Sequence, residues 1–121
     1  MQHYIGTDII EIERIREAVA RYGDRFLRRV YTPAELMVYG HHAHSLAASF
    51  ASKEAVMKVL GTGARGVGWR DIETLFHPSG KPLIRLNGRA KIEAEKLGLK
   101  EIDVSLSHSR VYAIATAIGA T

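Results

Sequence analysis

Residues 46–63 read LAASFASKEAVMKVLGTG. Every residue as far as Leu60 tolerates or favours a helix, no proline interrupts, and Gly61 stands where helices commonly end on a residue able to take positive φ. The stretch predicts a helix of about four turns, around which the rest of the chain is organised.

At roughly 100° per residue, Ser45, Ser49, Ser52 and Lys53 share one arc, which reads as the solvated side. Glu54 and Lys58 fall nearly opposite, on a line with Leu46 and Phe50 and flanked by Ala47, Ala51 and Ala55. A Glu followed four residues later by Lys is ordinarily a surface pair contributing a few tenths of a kcal/mol. On an apolar face two readings stand: an ion pair satisfied inside the protein, or a cleft in which a ligand completes the charges.

Composition bounds what surrounds this helix. A chain of 121 residues, 46% hydrophobic and 25% charged, suits one domain spanning residues 1–121. Without cysteine there is no disulfide, thiolate chemistry or Cys-based zinc site. Asp8, Glu11 and Glu13 interrupt the first apolar run as no signal peptide would, and no apolar stretch approaches the ~20 residues that span a bilayer. A cytoplasmic protein without a membrane partner is expected. The formal charge of +4 favours acidic partners: nucleotide phosphates, nucleic acid or an acidic protein.

Outward from the helix, residues 4–12 (YIGTDIIEI) read as a strand with Tyr4, Gly6, Asp8, Ile10 and Ile12 on one face. Asp8 on that face is either a sheet-edge carboxylate reaching water or a ligand for a hard cation. Residues 13–30 turn helical, broken at Gly23, with Asp24 able to cap a second short helix. Their arginines, Arg14, Arg16, Arg21, Arg25, Arg28 and Arg29, form either a solvated basic face or a docking surface for an acidic helix or a phosphate backbone. Thr32-Pro33-Ala34-Glu35 carries a capping box with proline at the first helical position. His41, His42 and His44 lie on a connector, where solvent exposure is a better reading than metal ligation.

Downstream, residues 61–68 (GTGARGVG) offer backbone N–H groups to phosphate but lack the Gly-Lys-Ser/Thr ending of a P-loop. Trp69 to Phe76 reads as a strand, paired through a turn at Pro78–Pro82 with Leu83 to Leu86. Asn87 can cap a helix that stops at Gly98. Residues 99–107 alternate Ile102, Val104 and Leu106 against Asp103, Ser105 and Ser107, and Val111 to Ile118 supplies a last strand. The expected fold is α+β: a small antiparallel sheet packed with one long central helix and several short ones.

Gly6-Thr7-Asp8-Ile9 with Glu11 and Arg14, followed by Phe50-Ala51-x-Lys53-Glu54-Ala55-x-x-Lys58-x-x-Gly61-Thr62-Gly63, resemble the two signature segments of the 4′-phosphopantetheinyl transferases. The resemblance is greatest to that family's short, single-domain holo-acyl-carrier-protein synthases. The Arg-rich segment, the Gly80-Lys81-Pro82 turn and the late Ser105-x-Ser107-His108-Ser109 segment extend it over nearly the whole chain. It implies transfer of phosphopantetheine from coenzyme A to a serine of an apo acyl carrier protein, as in fatty-acid biosynthesis, releasing adenosine 3′,5′-bisphosphate. Asp8 and Glu54 would then be Mg²⁺ ligands, with Lys58 on the phosphates and Glu54 or a metal-bound water as the base.

By the same resemblance Lys58, Gly61, Thr62, Gly63, Lys81, Pro82, Ser107 and His108 bind coenzyme A. Arg14, Arg21, Arg25 and Arg29 dock the carrier, and the short members form homotrimers with sites between subunits. Relatives often carry arginine where this chain has Ser49, so Arg65 or Arg70 would take over its phosphate contact. Two other classes compete: a non-catalytic module binding nucleic acid or an acidic protein, and a Mg²⁺-dependent nucleotide hydrolase. The first leaves Asp8 and Glu54 unused and finds few stacking aromatics among the arginines. No nucleic-acid partner is therefore expected, and the second has no use for the basic helix.

Overall fold

The long helix, α4, runs from Ala43 to Leu60 and closes on Gly61, whose φ of 74° is the left-handed cap. Around it a computed structural model describes the backbone of residues 1–121 and every side chain except those of Ala64 and Arg65. One side of α4 lies on a three-stranded antiparallel sheet ordered β1-β5-β4, built from β1 (His3–Glu11), β5 (Tyr112–Ala120) and β4 (Glu101–His108).

Small residues make that contact close. Ala113, Ala115 and Ala117 of β5 are fully buried against the helix, and a methyl group on Gly6 of β1 would collide with the Ala55 carbonyl and come within 2.9 Å of Lys58 Cβ. Gly6 therefore sets how near β1 can lie to α4, and with it how near Asp8 comes to Glu54. Leu46, Val56, Met57, Val59 and Leu60 are buried in this core, each contributing about 1.5–3 kcal/mol by leaving water.

The first strand enters α1 (Ile12–Tyr22), Gly23 breaks the helix, and α2 (Asp24–Val30) follows. Gly23 occupies the cap position, so Asp24 is the first helical residue and not the cap. The capping box at Thr32 and Glu35 forms as expected and starts α3 (Pro33–Tyr39). Past α4, a four-residue helix α5 (Gly63–Gly66) leads to a single 3₁₀ turn at Trp69–Asp71. The hairpin of β2 (Ile72–Phe76) and β3 (Pro82–Leu86) and helix α6 (Gly88–Leu97) complete the order. Asn87 precedes α6 without a side-chain cap and instead donates its backbone N–H to the Asp71 carbonyl.

Further expectations are corrected, among them that His44 lies on a connector, since it is inside α4. Trp69 to Asp71 is not strand, because the Asp71 carboxylate accepts the Gly68 N–H at 3.0 Å and curls the backbone before pairing begins at Ile72. The supposed solvated arc of α4 is interior: Ser49, Ser52 and Lys53 are all buried. Helix α3 and strand β2 cover that side, and Glu35, itself buried, meets the Lys53 ammonium at 2.7 Å. Covered on that side, the polar residues of the arc find partners inside the protein, Lys53 on Glu35 and Ser52 on the Thr74 hydroxyl. No helix among the described residues is long and apolar enough to cross a membrane.

Candidate functional site

Period two along β1 turns Tyr4, Gly6, Asp8 and Ile10 towards α4 while Ile5, Thr7 and Ile9 face outward. Asp8 is consequently delivered to the helix one residue pair beyond the Gly6 contact, where Lys58 and Glu54 share a helix line. The Lys58 ammonium donates to the Thr7 carbonyl at 2.7 Å and lies 3.4 Å from Asp8 Oδ1. Asp8 is mostly covered and Lys58 mostly open, with side-chain exposures of 14% and 55%.

Glu54 is half-buried beside them. Its pKa is raised above the ordinary carboxylate value, first by desolvation and then by the Asp8 charge, with Lys58 and Arg14 pulling the other way. Two carboxylates share the place with Lys58 and Arg14, so the formal charges match, but among the described residues Glu54 forms no ion pair. A cavity of about 540 Å³ opens over the pair, bounded by Asp8, Arg14, Ile15, Phe26, Phe50, Glu54 and Trp69. A second hollow of about 490 Å³, with Tyr22, Arg25, Arg29 and Val30, adjoins it across Phe26, Phe50 and Trp69.

Of the residues singled out in the sequence, the fold brings together Asp8, Glu54, Lys58 and Arg14. Arg25 and Arg29 border the adjoining hollow, and exposed Arg21 has its guanidinium 5.7 Å from the Tyr22 ring centre. Gly61, Thr62, Gly63, Lys81, Pro82, Ser107 and His108 do not line the cavity holding Asp8 and Glu54. Among the described residues, the buried Thr62 Oγ1 in the turn after α4 finds no hydrogen-bond partner. Lys81 and Pro82 belong to the β2–β3 hairpin, and His108 ends β4 with its ring 5.6 Å from that of His44.

Ser49, where relatives often have arginine, points inward and donates to Glu35 Oε2 at 3.2 Å. Arg70 is exposed in the 3₁₀ turn, and the Arg65 side chain lies outside the described residues. Sequence reasoning missed the walls of the cleft. Phe50 and Trp69 stack with ring centres 4.7 Å apart, and Phe26 closes the opposite side. The helical line joining Phe50 to Glu54 was the available signal for one of them; nothing local announces the other two.

Known proteins place this geometry. The 4′-phosphopantetheinyl transferase superfamily matches residues 4–117. A holo-acyl-carrier-protein synthase of Gloeobacter violaceus is 52% identical over 118 residues, covering 94% of this chain and 89% of the relative. One of Dehalococcoides mccartyi is 52% identical over 115 residues, covering 95% and 96%. Among solved structures, the Helicobacter pylori holo-acyl-carrier-protein synthase in complex with coenzyme A superposes with a TM-score of 0.87 at 32% identity, over 96% of this chain and 99% of that one. The Neisseria meningitidis holo-acyl-carrier-protein synthase gives 0.89 at 31%, over 98% of both.

Proposed function

The chain belongs to the 4′-phosphopantetheinyl transferase superfamily, and we propose that it acts as a holo-acyl-carrier-protein synthase, moving 4′-phosphopantetheine from coenzyme A to a serine hydroxyl of an apo acyl carrier protein. One observation carries the reading: Asp8 from β1, within reach of the Lys58 ammonium, and Glu54 from α4 border one open cavity, and among the described residues Glu54 forms no ion pair of its own.

The donor set fits magnesium. It offers hard carboxylate oxygens on two rigid elements, and no group of three His, Cys, Asp or Glu side chains suited to a metal gathers among the described residues. Two protein ligands leave coordination positions for phosphate oxygens and water, as Mg²⁺ requires. When bound, Mg²⁺ would offset charge growing on the pyrophosphate oxygens.

The chain's own residues supply the rest. Lys58, largely exposed beside Asp8, would present a point charge to the phosphates. Glu54, on the cavity wall, would take the serine proton. The serine oxygen bonds to the phosphorus bearing the pantetheine arm as the bond from that phosphorus to the bridging oxygen breaks. The proton passes to Glu54, and adenosine 3′,5′-bisphosphate leaves.

Arg14, Arg21, Arg25 and Arg29 are exposed along α1 and α2 and would dock an acidic carrier helix, so the KM for carrier should rise with salt. A KM indifferent to salt would count against docking. The outer sheet face supports a homotrimer: Ile5, Ile9, Ile114 and Ile118 stand uncovered on β1 and β5. Assembly would let Gly61–Gly63, Lys81, Pro82, Ser107 and His108 meet coenzyme A in a site shared between subunits. A monomer in sedimentation at assay concentration would overturn the trimer.

The deciding experiment is the intact mass of an apo acyl carrier protein after incubation with this protein and coenzyme A, with Mg²⁺ or EDTA. A gain of one phosphopantetheine group with Mg²⁺ alone is expected. No gain on any of several carriers would defeat the reading.

A further inference from the structure

Lys53 is buried to the last atom and uses all three ammonium protons inside the protein: on Glu35 Oε1 at 2.7 Å, on the Trp69 carbonyl at 3.1 Å and on the Ile72 carbonyl. A lysine has no further donor to give. Glu35 is equally committed. Its two oxygens also accept the Thr32 N–H at 3.0 Å, the Ser49 hydroxyl at 3.2 Å and the Thr74 N–H at 2.8 Å.

Neutralising Glu35 would have needed only one of the three lysine bonds. The other two hold the ends of one short segment, the turn from Trp69 to Ile72, whose first side chain forms the wall of the cleft. Trp69 stacks on Phe50 with an interplanar angle of 23°, and Phe50 lies one helical turn before Glu54 on the same line of α4. Position thus passes from the ammonium to the turn, from the turn to the indole, and from the indole to the space above the two carboxylates.

We propose that Lys53 is a positioning residue for the transfer reaction, clamping the Trp69–Ile72 turn onto α4 so that Trp69 holds the cleft in its productive shape over Asp8 and Glu54. The inference rests on the reading of that cleft as the transfer site.

Trp69 is the only tryptophan in the chain, so its fluorescence reports the clamp directly. The test is the double variant K53M/E35Q, which removes both charges together and leaves no unpaired buried ion. It should melt cooperatively, yet its emission should shift to the red, acrylamide should quench it more strongly, and turnover on carrier at saturating coenzyme A should fall about tenfold or more. Its Mg²⁺-dependent thermal shift should persist, since Asp8 and Glu54 are untouched. A folded double variant with native emission and native turnover would overturn the positioning role.

Should the double variant not fold, Trp69→Leu decides the matter. It keeps both carbonyl contacts to Lys53 and removes only the indole, so loss of turnover in folded protein supports the proposal and full turnover overturns it. A wild-type protein that transfers nothing to carrier would overturn the reading of the site itself, whereas an active wild type beside an unaltered variant overturns the clamp alone.

Discussion

Two lysines on α4 meet carboxylates in opposite ways. Lys53 and Glu35 are both wholly buried, 2.7 Å apart, and each has its remaining hydrogen-bonding capacity taken up by neighbours. Lys58 reaches Asp8 at 3.4 Å with its own side chain largely in solvent, and Glu54 adds a second carboxylate that desolvation and the Asp8 charge leave with a raised pKa. The first pair is closed, its donors and acceptors used up inside the protein, whereas at the second Glu54 forms no ion pair among the described residues and borders an open cavity. Hydrogen-bonding capacity left open, not depth, separates the proposed site from a structural tie.

The sharpest way to break this contrast is to remove one partner from each pair. Lys53→Ala, or Glu35→Ala, strands a charge with no water to receive it, and should cost about 3–5 kcal/mol, seen as a fall in melting temperature of roughly 10–20 °C. A melt indistinguishable from the parent would mean that the buried pair is not holding α3, β2 and α4 together. Glu54→Gln should do the reverse. Turnover is expected to fall by about 10²–10³-fold, while the melting temperature holds or rises because one of two adjacent like charges has gone. Near-normal turnover at saturating Mg²⁺ would remove Glu54 from both of its proposed roles.

Ligand removal tests the open pair directly. Mg²⁺ at ~100 times its dissociation constant should add about 2.7 kcal/mol to stability over protein in EDTA. That gain should vanish in Asp8→Asn, which deletes one of the two proposed anionic ligands. A thermal shift of the same size in the variant would place the ion elsewhere.

Much of this molecule was legible from sequence because its signals are local. The Thr32–Glu35 capping box, the stop at Gly61, the hairpin around Pro78–Pro82 and the alternation of β4 each depend on residues within a few positions of one another, and the structure follows them. Asp8 and Glu54 stood out as carboxylates on apolar faces and both border the cavity, but the pattern left their role open and only the family resemblance supplied one.

Lys53 was not legible. Its position on the helix wheel matched that of a solvated residue, and the carboxylate that neutralises it sits on another helix. The Trp69 strand expectation failed for a related reason, since the aromatic and β-branched run carried no mark that Asp71 would turn back to the Gly68 N–H. The contact between His44 and His108 joins a helix start to a strand end, and neither segment announces the other.

Ser49 gives the finest test of the boundary between the two regions. From the family resemblance this position should face the nucleotide phosphates, yet the serine is 1% exposed and its hydroxyl donates to Glu35 Oε2. If that contact defines its role, Ser49→Ala removes one hydrogen bond to a buried carboxylate that still keeps Thr74 and Lys53. The cost should be about 1–2 kcal/mol, read as a small drop in denaturation midpoint. The KM for coenzyme A should stay where it was, because no part of Ser49 lines the cavity above Asp8 and Glu54. The opposite result, a raised KM with unchanged stability, would mean that α4 turns this residue towards substrate when coenzyme A binds. The buried network and the open cleft would then share a residue, and the Lys53 side of the helix could no longer be treated as closed.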